Sequence, residues 1–580
     1  MPKTLPIAFG GCAGHLTLPV DQAPRTTGVV LCRSWGFDEL CTRKFLRLLA
    51  EALAEAGFAV LRFDYPGTVD SLDGPDGGGL AAWTDAADAA CDRLRALSGC
   101  DRVALFGLGT GALVADTLAA RREDAAGLIL AAPVVNGRKL LRETGIRAKV
   151  VLAGLGLADD PDLKGQVTIG GLVLAPDVAE ALKTARLDGN GPGRIIPHLV
   201  VAREAVATDR ELADQRAAAG HPVTTQPFDG YDKLMENPTA SRVRRSVIEG
   251  IAAFATDAFP ETMNGPMPAV RNPETRITGA EFQEEGVVFR PEAPLFGILC
   301  RPVSTGAAAA DRSVALLLNS GYDHHGGWAR SGVAIARDLA RLGIPSLRFD
   351  FSNIGDSPAV AGDPEQVLYT EGPIRDVSAA LDHLAVVCPG YPVVVGRCSG
   401  AYTALHAAVR DPRIRAVALV NQLRLIWDPA ESLDDVSRMG PRSVGEYSRR
   451  LRDAETFRRL LKGQVNVRAV LRGFAQHAVT RVSHGLAPFF PGISKYARFR
   501  AECHRMFREL DRRAIPVFML SSEGDESLEQ IALYFGRKRQ GLRAFRHVRL
   551  ETIAQADHNM TPLAAQAALR QKLCAALSSL

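Results

Sequence analysis

Buried-strand and amphipathic-helix patterns alternate along this chain. Thr27 to Cys32 is a short apolar run that predicts a strand, and Arg33 to Asp38 reads as the loop after it. Phe45, Leu46, Leu48, Leu49, Leu53 and Ala54 then recur at helical spacing up to Gly57, a glycine placed to stop a helix. Phe58 to Tyr65 predicts the next strand and Pro66 to Ser71 the next loop. Strands alternating with helices specify a mostly parallel sheet covered by helices on both faces, an α/β architecture. Such sheets carry their sites at the carboxyl ends of their strands.

The same phrase returns downstream. Val314 to Leu318 predicts a strand, Val333 to Leu342 a helix, and Gly343 to Phe351 matches Gly57 to Tyr65 in register. Asp64 and Asp350, like Asp70 and Asp356, stand 286 positions apart (350 − 64, 356 − 70). A duplicated domain explains a constant offset of this length. Phe259 to Pro268 is proline-rich and aperiodic, the pattern of a linker. The expected organisation is therefore a first copy over 1–258, a linker over 259–278 and a second copy over 279–580.

In each copy an apolar run ends in Gly-x-x-x-Gly and opens into a helix. In the second this is Gly396-Arg397-Cys398-Ser399-Gly400, with Cys398 at the apex of a sharp strand-to-helix turn, its side chain exposed and its thiol at a helix N-terminus. Backbone N–H donors and the dipole end there lower a thiol's pKa, so Cys398 reads as a nucleophile. In the first copy the turn reads Gly107-Leu108-Gly109-Thr110-Gly111, 289 positions earlier (398 − 109), and its apex is glycine.

Strand, loop, helix, Arg-Phe-Asp strand, Gly/Asp-Ser loop and elbow, in this order and twice over, resemble the α/β-hydrolase fold. The first copy is similar to hydrolases associated with exosortase-type exopolysaccharide systems through Trp35 to Cys41 and Leu61 to Tyr65. The second is similar to serine-aminopeptidase-like hydrolases through Leu347 to Ser357 and Tyr447 to Leu451. The resemblance implies two tandem α/β-hydrolase domains, each with a lid insertion. It places the first copy's histidine near Met235 to Thr239, where Thr239 or Lys233 would stand in; neither replaces an imidazole near neutral pH. The first copy is expected to be catalytically inactive.

In this fold the chain order is nucleophile, acid, histidine. Beyond Cys398, the predicted strand Ile515 to Leu520 leads to Asp525, the expected acid; Glu523 is the alternative and Glu526 a weaker one. The predicted strand Phe545 to Leu550 leads to His558, the expected base, before the last amphipathic helix. The oxyanion hole is expected from the backbone N–H of Ser399 and of Gly321 or Tyr322. Arg397 and His324 are candidate substrate contacts, and Arg397 reads equally as half of a scaffold ion pair. Between Ala416–Val420 and Val517 lie about a hundred residues, more than one crossover requires. This is the expected second lid, at about 421–513; the first copy has a shorter one from about Val134 to Arg194.

Composition narrows the rest. Hydrophobic residues make up 47% and charged residues 23%, a mix able to bury large cores, and the net charge of +4 gives no signal for nucleic acid. No apolar run is long enough to span a bilayer and Met1 to Pro6 lack a signal-peptide core, so a cytoplasmic protein without a membrane span is expected. Ten cysteines show no paired spacing, and adjacent His324 and His325 have no third ligand near them. No metal and no cofactor are expected. The leading function is acyl transfer through an acyl-Cys398 intermediate, as acyltransferase or ester/thioester hydrolase. A carrier-bound acyl thioester and a homo-oligomer are left open. The alternatives are a lactone or dienelactone hydrolase with the same triad, and a non-catalytic paired scaffold.

Overall fold

The computed structural model describes residues 2–75, 77–158, 160–303, 312–431, 433, 495–536 and 538–580. Most of the expected second lid, including Phe457 to Leu461 and Leu486 to Pro491, lies outside the described residues, as does Tyr447 to Leu451. The strands in chain order are β1 (Lys3–Phe9), β2 (Cys12–Leu18), β3 (Thr27–Cys32), β4 (Val60–Phe63), β5 (Arg102–Leu108), β6 (Ala125–Ala131), β7 (Thr168–Ile169), β8 (Leu172–Val173), β9 (His198–Ala202) and β10 (Val223–Pro227). They continue with β11 (Arg276–Thr278), β12 (Phe282–Phe289), β13 (Leu295–Pro302), β14 (Ser313–Leu318), β15 (Ser346–Phe349), β16 (Tyr391–Arg397), β17 (Ala416–Val420), β18 (Val517–Ser522) and β19 (Val548–Ile553).

The chain forms two compact units that do not follow the sequence copies. The first is Met1–Thr305 with Tyr322–Ala361, and the second Gly306–Gly321 with Gly362–Leu580. In the first unit, one sheet runs β1-β2-β4-β3-β5-β6-β9-β10. It is parallel from β4 onward, and the hairpin β1–β2 is attached antiparallel to β4. Strands β11, β12, β13 and β15 of the same unit pair antiparallel in that order. Strands β3 and β6 are buried along their whole length, as strands covered by helices on both faces must be. The helix Phe37–Glu55 buries Phe45, Leu46, Leu49 and Leu53 against the sheet, the stripe its spacing predicts. The segment expected to form the shorter lid folds as the helix Gly137–Leu155, the hairpin β7–β8 and the helix Pro176–Leu182.

In the second unit β14, β16, β17, β18 and β19 pair in parallel in that order. Val393 to Val395 form the buried middle of β16, and the helix Ser399–Arg410 starts one residue after the strand's turn. The helix Lys495–Arg512 buries Cys503, Met506, Phe507 and Leu510 on one face. The strand expected from Phe545 begins later, at Val548, because Phe545 closes a short 3₁₀ turn and packs its ring 5.9 Å from Phe535 and 5.7 Å from Phe507. The proline-rich stretch is not a free tether. Met263 N–H donates to Pro24 O at 2.8 Å, Thr26 N–H to Glu261 O at 3.0 Å, and Ala8 N–H to Glu274 O at 2.6 Å.

The duplication persists at the level of single hydrogen bonds. Ala13 N–H donates to Ser71 Oγ and Phe296 N–H to Ser357 Oγ, both at 3.0 Å. Ser71 Oγ donates to Asp64 O at 2.6 Å and Ser357 Oγ to Asp350 O at 2.7 Å. Each serine thus ties the loop after an Arg-Phe-Asp strand to the strand beside it, so the recurring Asp-Ser is explained by loop closure.

Candidate active site

Cys398 stands between β16 and the elbow helix with φ 55° and ψ −119°, a conformation that costs an L-residue of order 1–3 kcal/mol. Its N–H donates to Val420 O at 2.9 Å, which fixes the turn against the next strand. The flanking glycines are required by space. A Cβ on Gly396 would lie 2.2 Å from Gly400 O, and one on Gly400 2.2 Å from Asn319 O. Cys398 as a residue is half-buried.

Asp525 and His558 meet at the ends of β18 and β19. Asp525 Oδ2 accepts from His558 Nδ1 at 2.9 Å, while its Oδ1 caps the following helix by accepting Ser527 N–H at 2.9 Å. Both residues are buried. Glu523 is exposed, and Glu526 is ion-paired with Arg424 at 2.9 Å, so the described geometry favours Asp525 over either. His558 Nε2 is buried with no hydrogen-bond partner of ordinary geometry; its electrostatic partner is Cys398. Such contacts are often loose without substrate and tighten when it binds.

Charges in the site favour an ion pair. Burial opposes ionisation of Cys398, yet the His558 charge, then Arg397 and the Ser399 N–H, outweigh it and bring the thiol below its ordinary value. Burial likewise works against a charged His558, but Asp525 and Cys398 raise it to about 10. Asp525 is held below the usual carboxylate range, burial being outweighed by His558 and Ser527. Both shifts, the thiol's downward and the imidazole's upward, act toward a thiolate–imidazolium pair.

Several residues that position this site have no motif to announce them. Asn421, buried at the end of β17 with φ 45°, donates Nδ2 to His558 O and to Ser522 Oγ, both at 2.9 Å, and accepts Ser522 N–H at 2.7 Å. Ser522 Oγ donates to Asp557 O at 2.7 Å, and the Asp557 carboxylate accepts Thr561 N–H at 2.6 Å. Arg397 donates to Asn559 Oδ1 at 2.7 Å and to His558 O at 3.4 Å, so it braces the histidine loop. Asn421→Ala is expected to lower kcat roughly tenfold with KM nearly unchanged, since it loosens the base without touching a substrate subsite; steady-state kinetics on any turned-over acyl substrate checks this.

Two expected contacts are occupied otherwise. Gly321 N–H donates to Ser399 Oγ at 2.8 Å, so it is not a free oxyanion donor in this conformation. Ser399 N–H faces the Cys398 sulfur, and Tyr322 belongs to the first unit. His324 is buried, its Nε2 3.1 Å from Glu39 Oε2 and its Nδ1 accepting Gly326 N–H at 3.1 Å. Both ring nitrogens would have to be released before it could touch a substrate. His325 forms with Asp350 and Asp356 the one group among the described residues spaced like metal ligands. Arg43 and Arg62 already close on Asp356, which places two cations where an ion's charge would be repelled.

Beside the thiol stands an aromatic wall. Tyr369, buried with φ 60°, stacks on Trp427 at 4.4 Å and meets Tyr402 edge-on at 5.1 Å; Tyr402 lies 4.0 Å from the ring of His406. Burial and then the nearby Cys398 charge push the Tyr369 hydroxyl up.

The elbow of the first copy keeps the backbone and lacks the reactive atom. Gly109 has φ 56°, and its N–H donates to Ala131 O at 3.1 Å, as Cys398 N–H does to Val420 O. Thr110 Oγ1 accepts Trp35 N–H at 3.0 Å, the counterpart of Ser399 accepting Gly321. A Cβ on Gly109 would lie 2.6 Å from Ser34 Oγ, so the space of a nucleophile is filled. Lys233 is exposed and paired with Glu236 at 3.0 Å. Gly109→Cys in a Cys398→Ala background is expected to restore no turnover and to lower the unfolding midpoint by roughly 2–4 °C, read by activity assay and thermal melt.

Comparison with known proteins agrees with this architecture. Residues 29–183 match the family "Serine aminopeptidase, S33" and residues 315–571 the "Alpha/beta hydrolase family". No curated protein matches the chain in sequence. Among solved structures, a thermostable carboxyl esterase from Bacillus coagulans is 15% identical, over 44% of this chain and 99% of its own, with a TM-score of 0.31. Est1E from Butyrivibrio proteoclasticus with ferulic acid is 21% identical over 44% and 100%, TM-score 0.33. Dienelactone hydrolase from Anabaena variabilis is 14% identical over 51% and 96%, TM-score 0.29. Among the described residues no helix is long and apolar enough to cross a membrane.

Proposed function

For a chain carrying α/β-hydrolase domains in two regions, we propose an enzyme that transfers acyl groups through a covalent acyl-Cys398 intermediate, the first copy taking no part in the chemistry. The observation that carries this is the buried Nε2 of His558, whose electrostatic partner is the Cys398 thiol, with Nδ1 committed to Asp525 at 2.9 Å. That arrangement is a base oriented by an acid and directed at a nucleophile.

The thiolate attacks the acyl carbonyl, and the negative charge that forms on oxygen is met by the Ser399 N–H. Collapse breaks the bond to the leaving alkoxide or thiolate, which takes the proton held on His558 Nε2. A second nucleophile then loses its proton to His558 and attacks the thioester, and Cys398 leaves as thiolate. A thioester accepts amines and alcohols as well as water, so the same site supports hydrolysis and acyl transfer. The aromatic wall of Tyr369, Trp427 and Tyr402 is an apolar surface for the acyl group. The expected location is cytoplasmic.

A panel of activated esters, acyl thioesters and small lactones, with and without an added alcohol or amine, tests this reading. Leaving-group release from an ester or thioester by the wild-type chain, lost in Cys398→Ala, is the expected result. Turnover of lactones alone would replace the substrate class, and no turnover on any arm would contradict the proposal.

A further inference from the structure

Inside the first unit, the loops that follow the two Arg-Phe-Asp strands exchange their carboxylates. Arg62, on β4, is ion-paired with Asp356. Arg348, on β15, holds Asp70 at 2.9 Å. The 286-residue offset that relates Asp70 to Asp356 also relates Arg62 to Arg348 (348 − 62). Each arginine therefore reaches the aspartate of the other copy, and among the described ion pairs neither is bonded to its own. Two backbone contacts also cross between the copies, to equivalent acceptors though from donors that are not equivalent. Arg47 Nε donates to Gly355 O at 3.0 Å and Arg330 Nε to Val69 O at 2.6 Å, and Val69 and Gly355 are again equivalent positions (355 − 69 = 286). Arg43 adds a second bond to Asp356 at 2.7 Å, and His325 one to Asp70 at 2.6 Å. Arg62, Arg348, Asp70 and Asp356 are all fully buried.

Contacts in which one position meets another on the partner, and the reverse contact is also made, are the mark of a two-fold interface. We infer that the first copy clasps residues 322–361 of the second as a pseudo-twofold pair, acting as a tethered partner subunit. The partner this surface fits is the chain's own duplicate. A catalytically empty copy is then retained because it completes the other. Removing it would strip Asp356 of Arg43 and Arg62 and leave Arg348 and His325 with only their own-copy partners Glu284 and Asp350, and a buried carboxylate that loses its cations is strongly destabilising. It also assigns the paired Asp-Ser loops two jobs: the serine closes its own strand turn, and the aspartate reaches across.

Thermal unfolding of the full-length chain tests the exchange. Arg62→Met and Arg348→Met are each expected to lower the midpoint by roughly 5 °C or more, because each leaves a buried carboxylate short of a partner. The cross-copy doubles, Arg62→Met with Asp356→Asn and Arg348→Met with Asp70→Asn, are expected to lose clearly less than their single changes add up to. The same-copy doubles, Arg62→Met with Asp70→Asn and Arg348→Met with Asp356→Asn, are expected to lose the full total of their single changes. Coupling within copies, or strict additivity across them, would overturn the inference. Where a variant does not fold, a second measurement decides: a protease site inserted between the exposed residues Asn264 and Gly265 is cut in the otherwise wild-type protein. The two fragments are expected to elute together in gel filtration, and their separation would overturn it.

Discussion

Cys398→Ala is expected to lower kcat/KM on an acyl ester or thioester by about 10⁴-fold or more, with the unfolding midpoint within a few degrees of wild type. The two readouts separate chemistry from folding. Alanine keeps the Cβ and the same backbone conformation at φ 55°, and the elbow is held by the Cys398 N–H to Val420 O and by the close approach of Gly396 to Gly400. None of those contacts involves the sulfur. What is lost is the only group at the apex that can form a covalent bond, while Ser399 N–H and the aromatic wall stay in place. A residual rate above water from binding and the oxyanion donor is consistent with this, since nucleophile-deleted sites of this kind retain some acceleration.

Asp525→Asn is expected to cost about 10³–10⁴-fold in kcat, and to move the pH dependence of thiol alkylation upward. The carboxylate fixes the tautomer of His558 through Nδ1 and stabilises its charged form; with Asp525 neutralised, the imidazole's pKa falls. The sign for Cys398 follows. Its thiol lies below the ordinary value mainly because the positive His558 outweighs burial, so a His558 that loses its proton more readily lets the thiol's pKa rise. In the wild type, alkylation of Cys398 by iodoacetamide is expected to have its midpoint below the thiol's usual value of about 8.5, and activity to fall at high pH as His558 loses its proton. In Asp525→Asn the alkylation midpoint should be higher than in wild type. An unchanged midpoint would mean that His558 does not set the charge on Cys398.

The elements that carry the proposed chemistry announce themselves by local signals. Gly-x-Cys-x-Gly after a valine run specifies a strand-turn-helix by itself, and chain order then leads to Asp525 and His558. The repeat was readable because a duplicated loop keeps its Asp and Ser at a fixed offset. What could not be read depends on which strand ends converge. Asn421 follows an apolar strand like many others, and only the meeting of β17, β18 and β19 brings its amide to His558 O and Ser522. Gly321 is glycine at the expected place, yet the hydroxyl next to the nucleophile takes its N–H, a contact spanning 78 residues. His324 looked free as a loop histidine, but its partner Glu39 lies 285 residues away. The hairpin β1–β2 and the strands β11 to β13 carry proline, glycine and mixed polarity, so pairing rather than periodicity defines them. The exchange of Arg62 and Arg348 is invisible for the same reason: the sequence shows equal residues at equal positions, not which copy each one reaches.

The central claim is the acyl-Cys398 intermediate, and intact-mass spectrometry of the full-length chain tests it most directly. After brief mixing with a panel of acyl thioesters and activated esters and quenching in acid, the wild-type chain should gain the mass of one acyl group. Peptide mapping should place it on the peptide that contains Cys398, and Cys398→Ala should gain none there. A wild-type chain that turns over an acyl substrate with no adduct at any time point, while Cys398→Ala turns it over at the same rate, would contradict the account.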